Sequence, residues 1–222
     1  KNQPEILAVT SGKGGVGKSN ISVNLALLMS RMKKNVLLID ADIHLGNIDL
    51  MLGIRPEHTI ADVISGAVDV KEAISKGPGG IDILPAGSAV LDMLNMEDKV
   101  IRKIGDAFSK LEHEYDTVIV DTGAGVHESV MSFVVGADKI ILVVTPDPAS
   151  IADSYGMAKV IRNTNVDVPI IMVSNMVDSE DNGESMYKKM NLMVQRFLNS
   201  SLVYGGSIVK DNNSLLYKKF AE

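Results

Sequence analysis

The chain contains no cysteine and no tryptophan, and aromatic residues make up only 4% of its 222 positions. Without cysteine it has no disulfide and no thiolate metal site, so we expect a reducing, cytoplasmic environment. No apolar run approaches the roughly 20 residues of a membrane span, and no secretory signal is expected. The net charge of −6 argues against general nucleic-acid binding, although it is compatible with a local basic patch.

The order of apolar patterns predicts an α/β fold in a single domain, residues 1–222. The candidate strands are residues 6–10, 35–40, 82–84, 117–121, 139–145, 170–175 and 207–210. The candidate helices between them are residues 20–32, 59–66, 97–113, 126–136, 149–163 and 183–199. The strand runs do not alternate with polar residues, which is typical of strands buried on both faces. We therefore predict a three-layer P-loop NTPase fold, with a mostly parallel central sheet and helices on both faces.

A glycine-rich stretch at residues 12–19 is the most informative motif. It fits G-x-x-x-x-G-K-[ST], with Gly12, Gly17, Lys18 and Ser19 at the fixed positions. A strand pattern precedes it and a helix pattern follows, as this phosphate-binding loop requires. Glycines let backbone N–H groups surround a phosphate, and the helix N-terminus adds partial positive charge. A chance match is the alternative, and the strand–loop–helix context argues against it.

Carboxylates follow two of the predicted strands. Asp40 ends the second strand, Asp42 comes two residues later, and Asp121 ends strand 117–121. Ligands of parallel sheets bind at the carboxyl ends of strands. We expect Lys18 to reach the β- and γ-phosphates of a nucleotide, while Ser19 and Asp121 hold Mg²⁺. In the alternative interpretations Asp121 caps a helix, and Asp40 and Asp42 are turn residues.

Lys13 is the unusual residue of the loop, because its position needs no lysine for the loop geometry. A second cation near Lys18 is repelled unless anionic phosphate offsets the charge. Lys13 is therefore either solvated or serves a phosphate, including one bound in another subunit.

Several segments together resemble one family. Residues 13–19 resemble the deviant Walker A motif of the MinD/ParA ATPases, and residues 40–49 resemble their first switch region. Residues 121–125 and 145–155 are more similar to the FlhG branch of that family, which regulates flagellar number, than to MinD. The resemblance covers nearly the whole chain. It implies an ATP hydrolase that forms a homodimer when ATP binds.

The resemblance also implies residue roles. Lys13 would cross a face-to-face dimer to the partner's phosphates, and Asp42 would position the attacking water. Asp40 would support Mg²⁺, Asn47 would respond to the γ-phosphate, and Asn175 would hydrogen-bond the base. The implied catalytic residues are Lys13, Lys18 and Asp42. The implied metal ligands are Ser19, Asp40 and Asp121. The implied nucleotide-binding residues are Gly12, Lys13, Gly14, Gly15, Val16, Gly17, Lys18, Ser19, Asn20, Asn175 and Asp211.

Two departures from the family pattern concern His44, where glycine is usual, and Asn20, where a small or hydroxyl residue is common. The base also leaves an alternative open. Asn175 and Asp178 have the spacing of the guanine motif N-K-x-D, but Met176 replaces its lysine. The resemblance favours ATP over GTP.

The resemblance implies flagellar partners, namely an FlhF-like GTPase, flagellar switch proteins or a flagellar transcription regulator. It also implies peripheral contact with the inner face of the cell membrane. Residues 215–220 are apolar and basic, but this segment is too short to establish an interfacial helix, and an ordinary core helix is the alternative. Two other functions stay open: a ParA-like DNA-partitioning or cell-division-positioning ATPase, and a non-catalytic nucleotide-dependent partner-binding module.

Overall fold

The structure is a computed structural model that describes residues 3–42, 46–85, 111, 114–164 and 167–210. Four sequence predictions lie outside these residues: His44, Asp211, segment 215–220 and, except for Leu111, helix 97–113.

Strands and helices alternate along the described chain. The strands are β1 Glu5–Ser11, β2 Val36–Ala41, β3 Ser75–Lys76, β4 Asp82–Leu84, β5 Thr117–Ala124, β6 Lys139–Val144, β7 Ile170–Val177 and β8 Val203–Val209. The helices are α1 Lys18–Arg31, α2 Ile48–Leu52, α3 Ile60–Ser65, α4 Glu128–Val135, α5 Pro148–Asn163 and α6 Glu180–Leu198, with a 3₁₀ turn at Pro78–Gly80. None of these described helices is long and apolar enough to cross a membrane.

All eight strands form one sheet in the order β3-β4-β2-β5-β1-β6-β7-β8. Neighbouring strands run parallel, except that β3 is antiparallel to β4. This confirms the predicted mostly parallel sheet. The elements β3 and α2 were not predicted, because two and five residues are too few to give a periodic pattern.

Helices cover both faces of the sheet, as predicted. On one face, Leu7 and Val9 of β1 pack with Val23 and Leu27 of α1. On the other face, α3 packs over β2 and β5, while α4, α5 and α6 pack over β1, β6 and β7. Ile6 contacts both of these latter clusters, so they form one continuous layer. Because both faces are buried, functional side chains are confined to the ends of the strands.

The loop between β1 and α1 lies directly against the first half of α5. A Cβ built on Gly12 would lie 2.2 Å from the carbonyl carbon of Asp153 and 2.3 Å from the nitrogen of Ser154. No side chain fits there. A Cβ on Gly14 would meet nothing within 4 Å. Gly12 is therefore the glycine that close packing against α5 requires, and this contact fixes the position of the loop.

Gly12→Ala should destabilise the protein by about 1–3 kcal/mol, because the added methyl group forces the loop away from the backbone of α5. Gly14→Ala is the matched control, since the space around it is open, and its effect should stay within about 0.5 kcal/mol. Urea unfolding followed by circular dichroism measures both. Equal stability of the two variants would contradict the close approach.

Candidate functional site

The carboxyl ends of β1, β2 and β5 bring the glycine-rich loop and the predicted carboxylates together. Asp40 on β2 and Asp121 on β5 are register partners on neighbouring parallel strands. The loop follows β1, and β1 pairs with β5 on the side of β5 opposite to β2. The hydroxyl of Ser22 on α1 donates to Asp121 Oδ1 at 2.8 Å and ties the helix to the strand. Sequence reasoning missed Ser22, although it lies within one helical turn of Ser19.

Asp121 is almost completely buried, with 1% of its surface exposed. Burial raises the pKa of this carboxyl, while the hydroxyls of Ser19 and Ser22 and the charge of Lys18 act in the opposite direction. Its second oxygen, Oδ2, is buried and has no hydrogen-bond partner among the residues that the structure describes. Leaving such an oxygen unpaired costs free energy. A cation at this oxygen would remove the cost.

Asp40 is also buried, with 2% of its surface exposed. Burial raises its pKa to about 7, and the nearby charges of Asp121 and Asp42 contribute in the same direction. The backbone N–H groups of Ile48 and Asp42 each donate to the Asp40 carboxylate at 3.2 Å and oppose that shift. Asp40 thus connects the end of β2 to the start of α2, and its negative charge is poorly compensated.

The donor set fits an incomplete magnesium site. Within the described ranges, no group of three or more His, Cys, Asp or Glu side chains is arranged to hold a metal by itself. Mg²⁺ characteristically takes only one or two carboxylates from a protein and completes its shell with water and phosphate oxygens. The unpartnered Asp121 Oδ2 fits that role. The predicted ligands Ser19, Asp40 and Asp121 therefore stay a prediction that the buried chemistry supports.

Asp42 follows β2 and is half-buried at the same edge. A Cβ built on Gly123, near the carboxyl end of β5, would lie 3.6 Å from Asp42 Oδ1, so the end of β5 comes close to this carboxylate. The N–H of Gly125 donates to the carbonyl of Ser11 at 2.9 Å and holds the residues after β5 against β1. Asp42 therefore lies beside the carboxyl end of β5.

The two lysines of the loop have different surroundings. Lys18 opens α1 and is 7% exposed. The Lys13 side chain is 42% exposed and forms an ion pair with Asp147. Hydrogen bonding to Lys13, with a second bond from the N–H of Ala149 at 3.0 Å, lowers the pKa of Asp147. Sequence reasoning missed Asp147, because its Asp-Pro pattern indicates only a helix start.

Asn175 ends the regular part of β7 beside the loop. It is 6% exposed, and its side-chain amide donates to the carbonyl of Val16 at 2.7 Å. That contact places Asn175 next to the loop, and its predicted contact with the base stays a prediction. Asn20 is exposed on α1, and its carbonyl accepts from Asn24 at 2.7 Å. Gly14 and Gly15 are exposed at the tip of the loop.

A polar hollow of about 260 Å³ lies at the opposite, amino edge of the sheet. Asp82 within it accepts a hydrogen bond from Tyr115 at 2.8 Å and pairs with Lys76 at 2.8 Å. Burial, followed by the bond to Asp82, raises the pKa of Tyr115. These groups already compensate one another, so the hollow lacks the uncompensated charge of the carboxyl edge.

The pKa of Asp40 predicts a pH dependence of stability. Its folded-state pKa of about 7 lies above the ordinary aspartate value of 3.8, so the folded chain keeps a proton that the unfolded chain releases. This contribution is complete below about pH 4 and is lost as the pH rises through 7. Without Mg²⁺ or nucleotide, wild type should therefore lose up to about 4 kcal/mol relative to Asp40→Asn between those limits. Urea unfolding across this pH range measures the difference, and parallel curves for the two proteins would refute the shift.

The chain is similar to known proteins over most of its length. The family described as "ParA: NUBPL iron-transfer P-loop NTPase" matches residues 2–191. The antiactivator FleN of Pseudomonas aeruginosa is 38% identical over 209 residues, covering 94% of this chain and 75% of that protein. The flagellum site-determining protein YlxH of Helicobacter pylori is 32% identical over 234 aligned positions, covering 100% of this chain and 74% of that protein.

The fold is also that of a solved relative. The septum site-determining protein MinD of Pyrococcus horikoshii, complexed with Mg-ADP, superposes with a TM-score of 0.75 at 24% identity, covering 94% of this chain and 82% of that chain. This chain contains no cysteine with which to hold iron. The family match spans the glycine-rich loop and both carboxylate-bearing strands, so the chain belongs to the ParA/MinD family of P-loop NTPases and is an ATP-binding enzyme that hydrolyses ATP.

Proposed function

We propose that this ATPase is an ATP-dependent dimerisation switch that regulates the number or placement of flagella. The main support for this proposal is that the two lysines of the loop have different surroundings. Lys18 is buried near Asp121, whereas the Lys13 side chain is 42% exposed and, within the described part of the chain, pairs with an exposed carboxylate, Asp147. One cation therefore serves the chain's own nucleotide. The other is available to the phosphates of a second subunit in a two-fold dimer.

The loop and α1 would hold the triphosphate. Backbone N–H groups of the loop and the N-terminus of α1 face the phosphates, and Lys18 adds a charge-assisted contact. Ser19, Asp40 and Asp121 would hold Mg²⁺, which when bound neutralises charge on the β- and γ-phosphate oxygens. The buried, unpartnered oxygen of Asp121 supports this assignment. Asn175, already fixed to the loop, would contact the base.

Asp42 would position the water that attacks the γ-phosphorus. The new bond joins the water oxygen to phosphorus, the bond to the β,γ-bridging oxygen breaks, and ADP leaves with that electron pair. The water's protons remain with the products, phosphate and solvent. Positioning and electrostatic stabilisation supply most of the catalysis in phosphoryl transfer. Asp42 suits this role because it follows β2 and lies beside the carboxyl end of β5.

The flagellar role rests on the relatives FleN, named an antiactivator, and YlxH, named flagellum site-determining. The partners that fit this role are an FlhF-like GTPase, flagellar switch proteins or a flagellar transcription regulator. The protein would also contact the membrane peripherally. The net charge of −6 disfavours DNA as the main partner.

Deleting the gene in its source cell and counting flagella tests the flagellar role. Wild type should restore the normal number and Lys18→Ala should not. Unchanged flagella after deletion would exclude the role without affecting the ATPase assignment.

Asp42→Ala should keep Mg-ATP binding within about threefold but slow phosphate release by about 10²-fold or more, because the attacking water loses its orienting group. Calorimetry gives the affinity and a phosphate assay gives the rate. Asp167→Ala removes an exposed carboxylate before β7, at the far edge of the sheet, and should change neither. Near-normal hydrolysis by Asp42→Ala would move the role to another residue, with Asp40 the first candidate.

Lys13→Ala should bind Mg-ATP within about threefold of wild type but stay monomeric. The reason is that two facing nucleotides repel each other unless each subunit offsets the other's phosphates. Light scattering with a slowly hydrolysed ATP analogue measures the dimer, and hydrolysis should fall with it.

Two variants control this experiment. Lys189→Ala removes an equally charged, exposed lysine from α6 and should dimerise normally. Lys18→Ala should lose ATP binding itself, which separates the two lysines. A Lys13→Ala protein that dimerises as well as wild type would exclude a lysine acting across the dimer, though not the nucleotide site.

A further inference from the structure

Among the residues that the structure describes, three that are not glycine have a positive φ: Lys33 at 66°, Met176 at 57° and Asn199 at 47°. Lys33 is the second residue after α1 and Asn199 is the first after α6, positions where a left-handed residue commonly terminates a helix. Met176 lies inside β7, where helix termination does not explain it. A left-handed methionine within a strand is sterically unfavourable and needs a separate cause.

The strand geometry explains the backbone at this position. The pairing of β7 with β8 shifts register between Asn175 and Val177, so Met176 is the extra residue of a bulge. Asn175 contacts Val16, which belongs to the layer around α1. Val177 is 1% exposed and packs in the opposite layer with α6. The bulge therefore sends two residues that are two positions apart to opposite faces of the sheet.

The bulge does not explain why the residue is methionine. Glycine adopts a positive φ without steric cost, and a left-handed backbone is the only requirement of the bulge itself. The Met176 side chain is nevertheless 42% exposed, so core packing is not its main contribution. Its terminal methyl group reaches to 3.5 Å from where a Cβ on Gly17 would lie. The thioether thus lies over the last residue of the phosphate loop, next to Asn175.

We propose that Met176 is a specificity-determining residue that contacts the flat face of the nucleotide's base. This rests on the proposed use of the loop as the triphosphate site. A base that is attached to phosphates in this loop and contacts Asn175, as proposed above, would lie beside the exposed Met176 side chain. Sulfur and methyl groups make favourable contacts with aromatic rings. The contact selects a nucleotide with an aromatic base over bare phosphate, and a large purine face over a smaller pyrimidine one.

Calorimetry with two probes separates base from phosphate contacts. Mg-ATP carries both, and Mg-tripolyphosphate carries phosphates alone. Met176→Ala and Met176→Gly should each weaken Mg-ATP binding about tenfold and leave Mg-tripolyphosphate within twofold of wild type. Met32→Ala removes a methionine that is 72% exposed at the far end of α1, and it should change neither affinity. Met176→Gly should also melt higher than Met176→Ala, because glycine relieves the left-handed strain.

Three results would overturn the inference in distinguishable ways. Wild-type affinity for Mg-ATP in either Met176 variant would show that the side chain does not contact the base. Equal weakening of both probes would show that Met176 shapes the phosphate loop instead. If wild type itself binds neither probe, the nucleotide site of the proposed function fails, and the role of Met176 fails with it.

Discussion

Asp40 and Asp121 are two carboxylates buried side by side, and the polar contacts at the carboxyl edge of the sheet serve to offset their charge. Parallel pairing of β2 and β5 places them in register, and burial disfavours the charge of both. Ser22, the N–H of Ile48 and the charge of Lys18 each compensate part of that charge. Within the described residues, Asp121 Oδ2 accepts no hydrogen bond. The negative charge of the two carboxylates is thus only partly offset by the protein. A bound cation and its phosphate ligands would offset the remainder.

The same edge connects the nucleotide loop to helix α5. Gly12 packs on the α5 backbone, and Lys13 pairs with Asp147 at the helix start. Asp147 also accepts from the N–H of Ala149, so it continues to cap α5 when Lys13 turns elsewhere. A phosphate competing for Lys13 therefore removes an exposed ion pair, which contributes little stability, and leaves the helix intact. This arrangement lets Lys13 change partners at small cost while the loop stays fixed by Gly12.

Sequence patterns predicted most of what depends on neighbouring residues, apart from short elements and one helix cap, and missed contacts between distant residues. Strand 82–84 and the loop at 12–19 were predicted because apolar runs and glycine spacing are local. Helix α6 begins at Glu180 rather than at residue 183, because Ser179 accepts from the N–H of Asn182 at 3.2 Å; that capping pattern was visible in the sequence. The Lys13–Asp147 pair joins residues 134 positions apart, and no local pattern indicates it. Likewise, Asp40 meets Asp121 only because β2 and β5 are neighbours in the sheet, an order that periodicity does not determine.

The end of β7 shows that a sequence motif can be interpreted only when its backbone conformation is known. By spacing alone, residues 175–178 resemble a guanine motif in which methionine replaces lysine; that replacement weakened the case for guanine, and the family resemblance favoured adenine. The bulge gives the position a different meaning, because residue 176 adopts a left-handed backbone and projects a long unbranched side chain over Gly17. Lysine and methionine share that unbranched stem, and neither has a group that distinguishes the edge of one purine from another along its length. With the proposed base contacts, discrimination between purines would fall to groups at the edge of the base, such as Asn175, while Met176 would contact its face.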